Sequence, residues 1–415
     1  GLPALTKPTI VVANDLAPAD TASLDLNHVV GIVTELGGPT SHTAIIAAQL
    51  DLPCLVRVEG AMTLQDDATI AIDAANGTVV LDPDDSLREA ILARAKARAS
   101  LKTATGGAGR TRSGQSVQLL ANVGAVEDAE RAAKDDVEGV GLFRTEVLFL
   151  DAATAPTVAD QVTAYTKVFK AFGERKVVIR TLDAGADKPL AFAPSDEEEN
   201  PALGVRGLRM DRRFPQLLDD QLEAIAQAAK ATSAKVWVMA PMVSTVHEAR
   251  DFVERVRSHG LPVAGMMIEV PAAALRARHM MEIVDFASIG TNDLTQYAMA
   301  TDRMAGELAE LLDPWQPAVL DLIAASGAAG KAVGKPVGVC GEAARDPLLA
   351  LVLVGLGISS LSMAPAGVPA VRFALSRTDI ETCEAMAAAA RNAQDAAGAR
   401  AAVEKLVDPE VLLAL

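Results

Sequence analysis

Short apolar runs rich in β-branched residues alternate along most of the chain with long alanine-rich stretches whose apolar positions recur at helical spacing. That is the pattern of repeated βα units. From about Ser116 onward the runs are VQLLAN, GVGLF, KVVIRT, KVWVMA, VAGMMIE, FASIG, PVGVC and SSLSM, eight in all. Eight strands with helices between them predict a (β/α)8 barrel over residues 111–415, with its active site at the carboxyl ends of the strands. The longest apolar run, Leu348 to Ile358, is broken by Gly355 and Gly357 and is too short to span a bilayer. It reads as a buried helix.

The first 85 residues keep a different rhythm. TIVVA and VVGIV read as strands, and a later pair, TIAID and TVVLD, is joined through Asn76 and Gly77. Asn-Gly tolerates the positive φ values of a type I′ turn, so that pair predicts a hairpin. Between them GGPTSHTAIIAAQLDLP reads as a glycine turn, a helix from about Ser41 to Leu50 and a stop at Pro53. Residues 1–85 are therefore expected to form a small β/α domain carrying one exposed helix start. The mixed-charge SLREAILARAKARASLKTA and the glycines 106, 107 and 109 that follow predict a linker helix with a glycine hinge over residues 86–110.

Composition narrows the function. With 38 Lys and Arg against 54 Asp and Glu the net charge is -16, the wrong sign for a general nucleic-acid binder. Aromatics at 3% leave few stacking platforms for single strands. An anionic ligand must be held by a local basic cluster. Three widely spaced cysteines, Cys54, Cys340 and Cys383, fit neither a disulfide framework nor a CxxC site, and point to a reducing cytoplasm. No basic region followed by an apolar one marks the start as a signal peptide.

The predicted strand ends carry Asn122, Arg144, Arg180 with Asp183, Met242, Glu269, Asn292 with Asp293, Cys340 and Ser362. Arg144 and Arg180 end adjacent strands, where two guanidinium forks suit a phosphate or carboxylate. Arg206, Arg303 and Lys188, in segments read as loops over the mouth, would add to the cluster. Glu269 and Asp293 close successive strands and offer hard oxygen ligands to Mg²⁺ or Mn²⁺. A strand-end thiol at Cys340 suits proton transfer to an enolate carbon, whereas Cys54 and Cys383 read as inert core. His42 sits in the first turn of the predicted helix, whose unpaired N–H groups would stabilise a phosphoryl group placed on it. Thr40, Ser41 and Thr43 add hydroxyls. His28, His247, His259 and His279 read as structural. The acidic run Asp196 to Glu199 reads as a solvated loop.

Taken in order, LGGPTSHTAIIA, EGVGLFRTEVLFL, VVIRTLDAGADKPL, EENPALGVRGLRM, MIEVPAAA, FASIGTNDLTQYAMATDR, VGVCGEAARDP and SSLSMAP closely resemble Enzyme I of the bacterial sugar phosphotransferase system, the phosphoenolpyruvate-protein phosphotransferases. The resemblance implies a small swivelling phosphohistidine domain ahead of a barrel of the phosphoenolpyruvate/pyruvate type. By it His42 is the phosphorylated histidine, and Arg144, Arg180, Asn292 and Arg303 bind phosphoenolpyruvate, with Arg206, Lys188 and Asp293 completing the substrate site. Glu269 and Asp293 become magnesium ligands, and Cys340 the proton donor to enolpyruvate. It also implies a homodimer through the barrels and a carrier of the HPr type as phosphoryl acceptor. In that family a helical domain that docks HPr, and a first strand of the histidine domain, precede the position of Gly1. Neither is among these residues, so transfer to free HPr is expected to be poor.

Three rival readings remain, one of them a non-enzymatic sensory or scaffolding relative that keeps the fold, which would be expected to have lost some of Arg144, Arg180, Glu269, Asp293 and Cys340, all present here. A phosphoenolpyruvate synthase or pyruvate phosphate dikinase shares both domains, but needs an ATP-grasp domain and usually places Ala where Thr43 stands. A Mg²⁺-enolate lyase, aldolase or mutase would leave His42 structural.

Overall fold

The computed structural model describes residues 3–38, 41–74, 77–104, 106–150, 152–185, 190–193 and 197–415, the side chains of 100 and 102–104 excepted. Pro39, Thr40, Asn76, Lys188 and Asp196 lie outside the described residues. The chain divides into two compact units, one of residues 1–104 with Asp302–Ala309 and Leu413–Leu415, the other of Thr105–Thr301 with Glu310–Leu412.

In the first unit β1 (Thr9–Ala13), β2 (Val29–Thr34) and β3 (Cys54–Leu55) form a parallel sheet in that order. The antiparallel pair β4 (Ile70–Asp73) and β5 (Thr78–Leu81) is the expected hairpin, with Gly77 at φ +67° where a side chain would be strained. A short helix α1 (Pro18–Ala22) follows β1. The helix α2 (His42–Gln49) begins where the glycine turn ends, because Ser41 caps it by accepting from the Ala44 N–H at 3.3 Å. Leu16, Leu24, Val29, Ile32 and Ala47 make the core beneath. The linker helix α3 (Asp85–Ala104) carries little apolar periodicity.

The second unit is a closed barrel of eight parallel strands: β6 (Gln118–Val123), β7 (Gly139–Arg144), β8 (Lys176–Arg180), β9 (Lys235–Ala240), β10 (Ala264–Ile268), β11 (Phe286–Ile289), β12 (Val337–Val339) and β13 (Ser360–Met363). All eight runs read from the sequence are present. Closure is made by β13 against β6, with Ser360 opposite Gln118 and Met363 opposite Ala121. The apolar run is the helix Pro347–Gly355, every side chain from Leu348 to Val354 buried. Gly355 lets it pack, since a Cβ there would stand 2.1 Å from the Cys383 carbonyl oxygen.

The expected hinge glycines do other work. Gly107 donates its N–H to Asp136 at 2.8 Å and accepts from Arg372 at 2.9 Å. Gly109 donates to Glu138 at 3.1 Å, and a Cβ on it would lie 2.2 Å from the Val117 carbonyl oxygen. Gly109 thus packs against the barrel wall, while Gly107 is exposed at φ +87°.

Candidate active site

At the carboxyl end of the barrel the strand-end residues converge. Arg180, last residue of β8, is buried and donates to Glu146 Oε1 at 2.7 Å, with Asp183 at 3.7 Å. Glu146 Oε1 also accepts the Asp183 N–H at 3.1 Å, while its other oxygen has no partner. Burial opposes the Arg180 charge, but Glu146, Asp183 and Glu269 outweigh it and hold the guanidinium above its ordinary range. Arg144, at the end of the adjacent β7, has no ion-pair or hydrogen-bond partner among the described residues. Burial first, and Arg180 second, lower its affinity for a proton. Two neighbouring guanidiniums, one lacking a counter-ion, form an anion site in waiting.

Opposite them Asp183, Glu269 and Asp293 bring one carboxylate oxygen each within 4.8 Å of the others. Glu269 is wholly buried, accepts the Met242 N–H at 2.7 Å and leaves Oε1 without a partner. Burial, then Asp293 and Asp183, push its carboxyl well above the usual carboxylate range. Three hard oxygen donors, one orphaned, fit a divalent cation. Arg206 braces the cluster. It donates to Asp183 at 3.0 and 3.2 Å, to Asp293 at 3.1 Å and to the Tyr297 hydroxyl at 3.3 Å.

Cys340 follows β12 and is buried against Leu142, Val178, Met239 and Met267. Its thiol donates to the Ile289 carbonyl at 3.6 Å. Burial raises its pKa, so the proton stays on sulfur despite the opposing influence of Ser288, Arg180 and Arg144. Asn122 holds the same turn, donating to the Cys340 carbonyl at 2.9 Å and accepting from Ser362. Asn292 is exposed and accepts the Glu342 N–H at 3.2 Å.

Of the remaining expected site residues, Lys188 lies outside the described residues, and Arg303 belongs to Asp302–Ala309, which groups with the first unit. His42 also stands in the first unit, exposed at the first turn of α2, its Nε2 3.2 Å from the Thr21 hydroxyl. Thr21 is itself fixed by donating to the Pro18 carbonyl at 2.8 Å, so the ring is held in one orientation. Among the other histidines, His28 bonds Asp25 at 2.6 Å, His247 pairs with Asp251 and His259 bonds Glu223. Glu198, read as part of a solvated run, instead accepts the Val205 N–H at 3.1 Å and pairs with Arg213 at 3.7 Å.

Glu146 and Tyr297 were missed. Tyr297 stands four past Asp293 on one helix, a spacing that could have flagged it, whereas Glu146, two residues past Arg144, carries no such signal. Glu146 supports Arg180 directly. Glu146→Ala should destabilise the barrel by about 3–5 kcal/mol, because it strips a buried guanidinium of its nearest carboxylate. Urea unfolding followed by the barrel tryptophans checks this; a change under about 1 kcal/mol would contradict it.

Residues 98–380 match the family model "PEP-utilising enzyme, PEP-binding domain", and residues 5–77 match "PEP-utilising enzyme, mobile domain". A phosphoenolpyruvate-protein phosphotransferase of Streptomyces coelicolor is 48% identical over 99% of this chain and 74% of its own length. One from Haloferax volcanii is 41% identical over 91% of this chain and 68% of its own length. A multiphosphoryl transfer protein of Xanthomonas campestris is 40% identical over 95% of this chain but 48% of itself.

Proposed function

Since the chain belongs to the phosphoenolpyruvate-utilising enzymes, and among them to the phosphoenolpyruvate-protein phosphotransferases, we propose that its barrel mouth binds phosphoenolpyruvate and that His42 takes the phosphoryl group. The activity is phosphoenolpyruvate-dependent phosphotransfer within a phosphotransferase system. The observation that carries the assignment of residues is the Arg144–Arg180 pair: adjacent strand ends, with Arg144 lacking any anionic partner among the described residues.

Phosphoenolpyruvate presents a phosphate and a carboxylate. Arg144 and Arg180 bind and orient this dianionic face, with Arg206, Asn292 and Arg303 assigned supporting contacts. Glu269 and Asp293, with Asp183, would hold Mg²⁺ or Mn²⁺, which when bound supplies positive charge to the substrate oxygens. His42 attacks phosphorus in line with the enol oxygen, and the arginines stabilise charge in a loose transition state. The enolate that departs takes a proton at carbon from Cys340. Since His42 lies in the other unit, the two must meet for transfer and part for delivery. The acceptor is assigned to an HPr-like carrier and the assembly to a homodimer through the barrels on the strength of the resemblance, and the location to the cytoplasm on the cysteine pattern. Among the described residues no helix is long and apolar enough to cross a membrane.

Mass spectrometry after incubation with phosphoenolpyruvate and Mg²⁺ tests the reading. An acid-labile phosphate on His42 is expected. Pyruvate release with no phosphate on His42 would transfer the assignment to an enolate lyase instead.

A further inference from the structure

The barrel holds a small cavity at the end opposite the candidate active site, about 320 Å³ when the open solvent at its entrance is included. Lys176, Trp237, Ser288, Pro336, Ser360 and Ser362 are among its lining residues. Pro336 is exposed and Lys176, Trp237 and Ser360 are half-buried, so the cavity reaches the surface at the amino ends of the strands. Glycine keeps it open: a Cβ on Gly141 would stand 2.4 Å from Ser362 Oγ, and one on Gly338 2.1 Å from Ser360 Oγ. A (β/α)8 core is ordinarily filled by branched side chains in layers. Here three serines and a lysine share that position with Leu120, Val178, Trp237 and Phe286.

The cavity's inner end meets the chemistry. Ser288 on β11 lines it and neighbours Cys340 across the β11–β12 pair, since Ser288 stands opposite Gly338 and the Cys340 N–H donates to the Ile289 carbonyl at 3.1 Å. Ser362, lining the same space, donates to Asn122, whose amide holds the Cys340 carbonyl. At the outer end Lys176 donates to Gln118 at 2.6 Å and lies 4.2 Å from the Trp237 ring centroid, with no carboxylate in ion-pair contact among the described residues. The space suffices for a single water, and the serine hydroxyls with the Lys176 ammonium supply its hydrogen-bond partners.

We propose that Cys340 regains its proton through the barrel interior, by way of Ser288, cavity water and Lys176, rather than from the substrate mouth. This rests on Cys340 being the proton donor. Each turnover forms a C–H bond at the enol carbon as the S–H bond breaks, leaving a thiolate. Ser288 then passes its hydroxyl proton to sulfur and takes one from water. The Lys176 ammonium restores the water and is itself reprotonated from solvent, so no other reactant is needed. Burial lowers the Lys176 pKa to about 8, against the pull of Glu138, which lets the amine give and take a proton near neutrality. A route from below also spares the substrate mouth from opening to water in order to reload the acid.

The test compares two exchanges in one equilibrium mixture of enzyme, Mg²⁺, phosphoenolpyruvate and carbon-labelled pyruvate in D₂O. Carbon label entering phosphoenolpyruvate reads the whole reversible reaction. Deuterium entering the pyruvate methyl group requires, in addition, that the Cys340 proton equilibrate with solvent. In the native enzyme the two should keep pace. In Ser288→Ala the ratio of deuterium entry to carbon exchange should fall about tenfold or more, with Lys176→Met falling in the same direction and Ser288→Cys restoring the ratio. The ratio is independent of how much enzyme is correctly folded. An unchanged ratio in both Ser288→Ala and Lys176→Met overturns the internal route while leaving Cys340 in its role. Cys340→Ala that slows neither exchange overturns the role itself, and the route with it.

Discussion

Glu269→Gln should abolish phosphotransfer and at the same time make the metal-free protein more stable. The two effects have one origin. Glu269 is wholly buried, with Asp183 and Asp293 beside it and one oxygen unpartnered. Without a cation an ionised carboxylate there is compensated only in part by Arg180 and Arg206, and burial with the two neighbouring acids pushes its pKa up. A glutamine still accepts the Met242 N–H while removing the charge. The gain in chelator should be about 1–3 kcal/mol, the usual cost of an unsatisfied buried polar group. Removing one electrostatic contact to a transferring phosphoryl group costs roughly 10²–10³ in rate.

The sign of the pH dependence follows from the same arrangement. A carboxyl whose folded pKa is raised binds more protons in the folded state, so its contribution to stability falls as pH rises above the ordinary carboxylate range. The chelated native protein should therefore melt at lower temperature as pH rises through that interval, and Glu269→Gln should show a flatter profile. Mg²⁺ should raise the melting temperature of the native protein and leave the variant's unchanged. Thermal melts in chelator and in Mg²⁺, with phosphorylation measured in parallel, check all of this. A variant that still phosphorylates at the native rate, or that is less stable in chelator, rules out the cation assignment.

How much of this was legible in the sequence depended on the kind of interaction. The barrel strands announced themselves because parallel strands covered on both faces are continuous apolar runs, and VVIR or AGMMI can be little else. The ends of those runs are one residue wide, so Arg144, Arg180, Glu269 and Cys340 could be placed at the mouth by counting. What counting cannot give is side-chain direction. Arg206 turns in to bridge Asp183 and Asp293, and Glu146 turns back under Arg180. Both facts depend on how loops close over the barrel, which no local pattern encodes. Gly109 looked like freedom and is a close contact. Glycine serves either purpose, and only the neighbouring backbone tells them apart.

His42→Ala should eliminate the phosphoenzyme completely while leaving phosphoenolpyruvate binding intact. The nucleophile and the anion cluster belong to different compact units, and the imidazole is exposed, so its loss removes little packing from either. The positioning of the ring is a separate matter. Its Nε2 stands 3.2 Å from a Thr21 hydroxyl that is itself pinned by the Pro18 carbonyl. Thr21→Val keeps the shape of that side chain and removes the contact, so the ring should sample orientations that cannot reach phosphorus in line. Misplacing a reacting group by about an ångström can cost 10²-fold, and Thr21→Val should thus slow phosphorylation by up to about that factor with binding unchanged. Calorimetry with phosphoenolpyruvate and Mg²⁺, alongside rapid-quench measurement of acid-labile phosphate, separates the two quantities. If His42→Ala lost substrate binding as well as phosphate, the histidine would have to be part of the binding site, and the division of labour between the two units would be wrong.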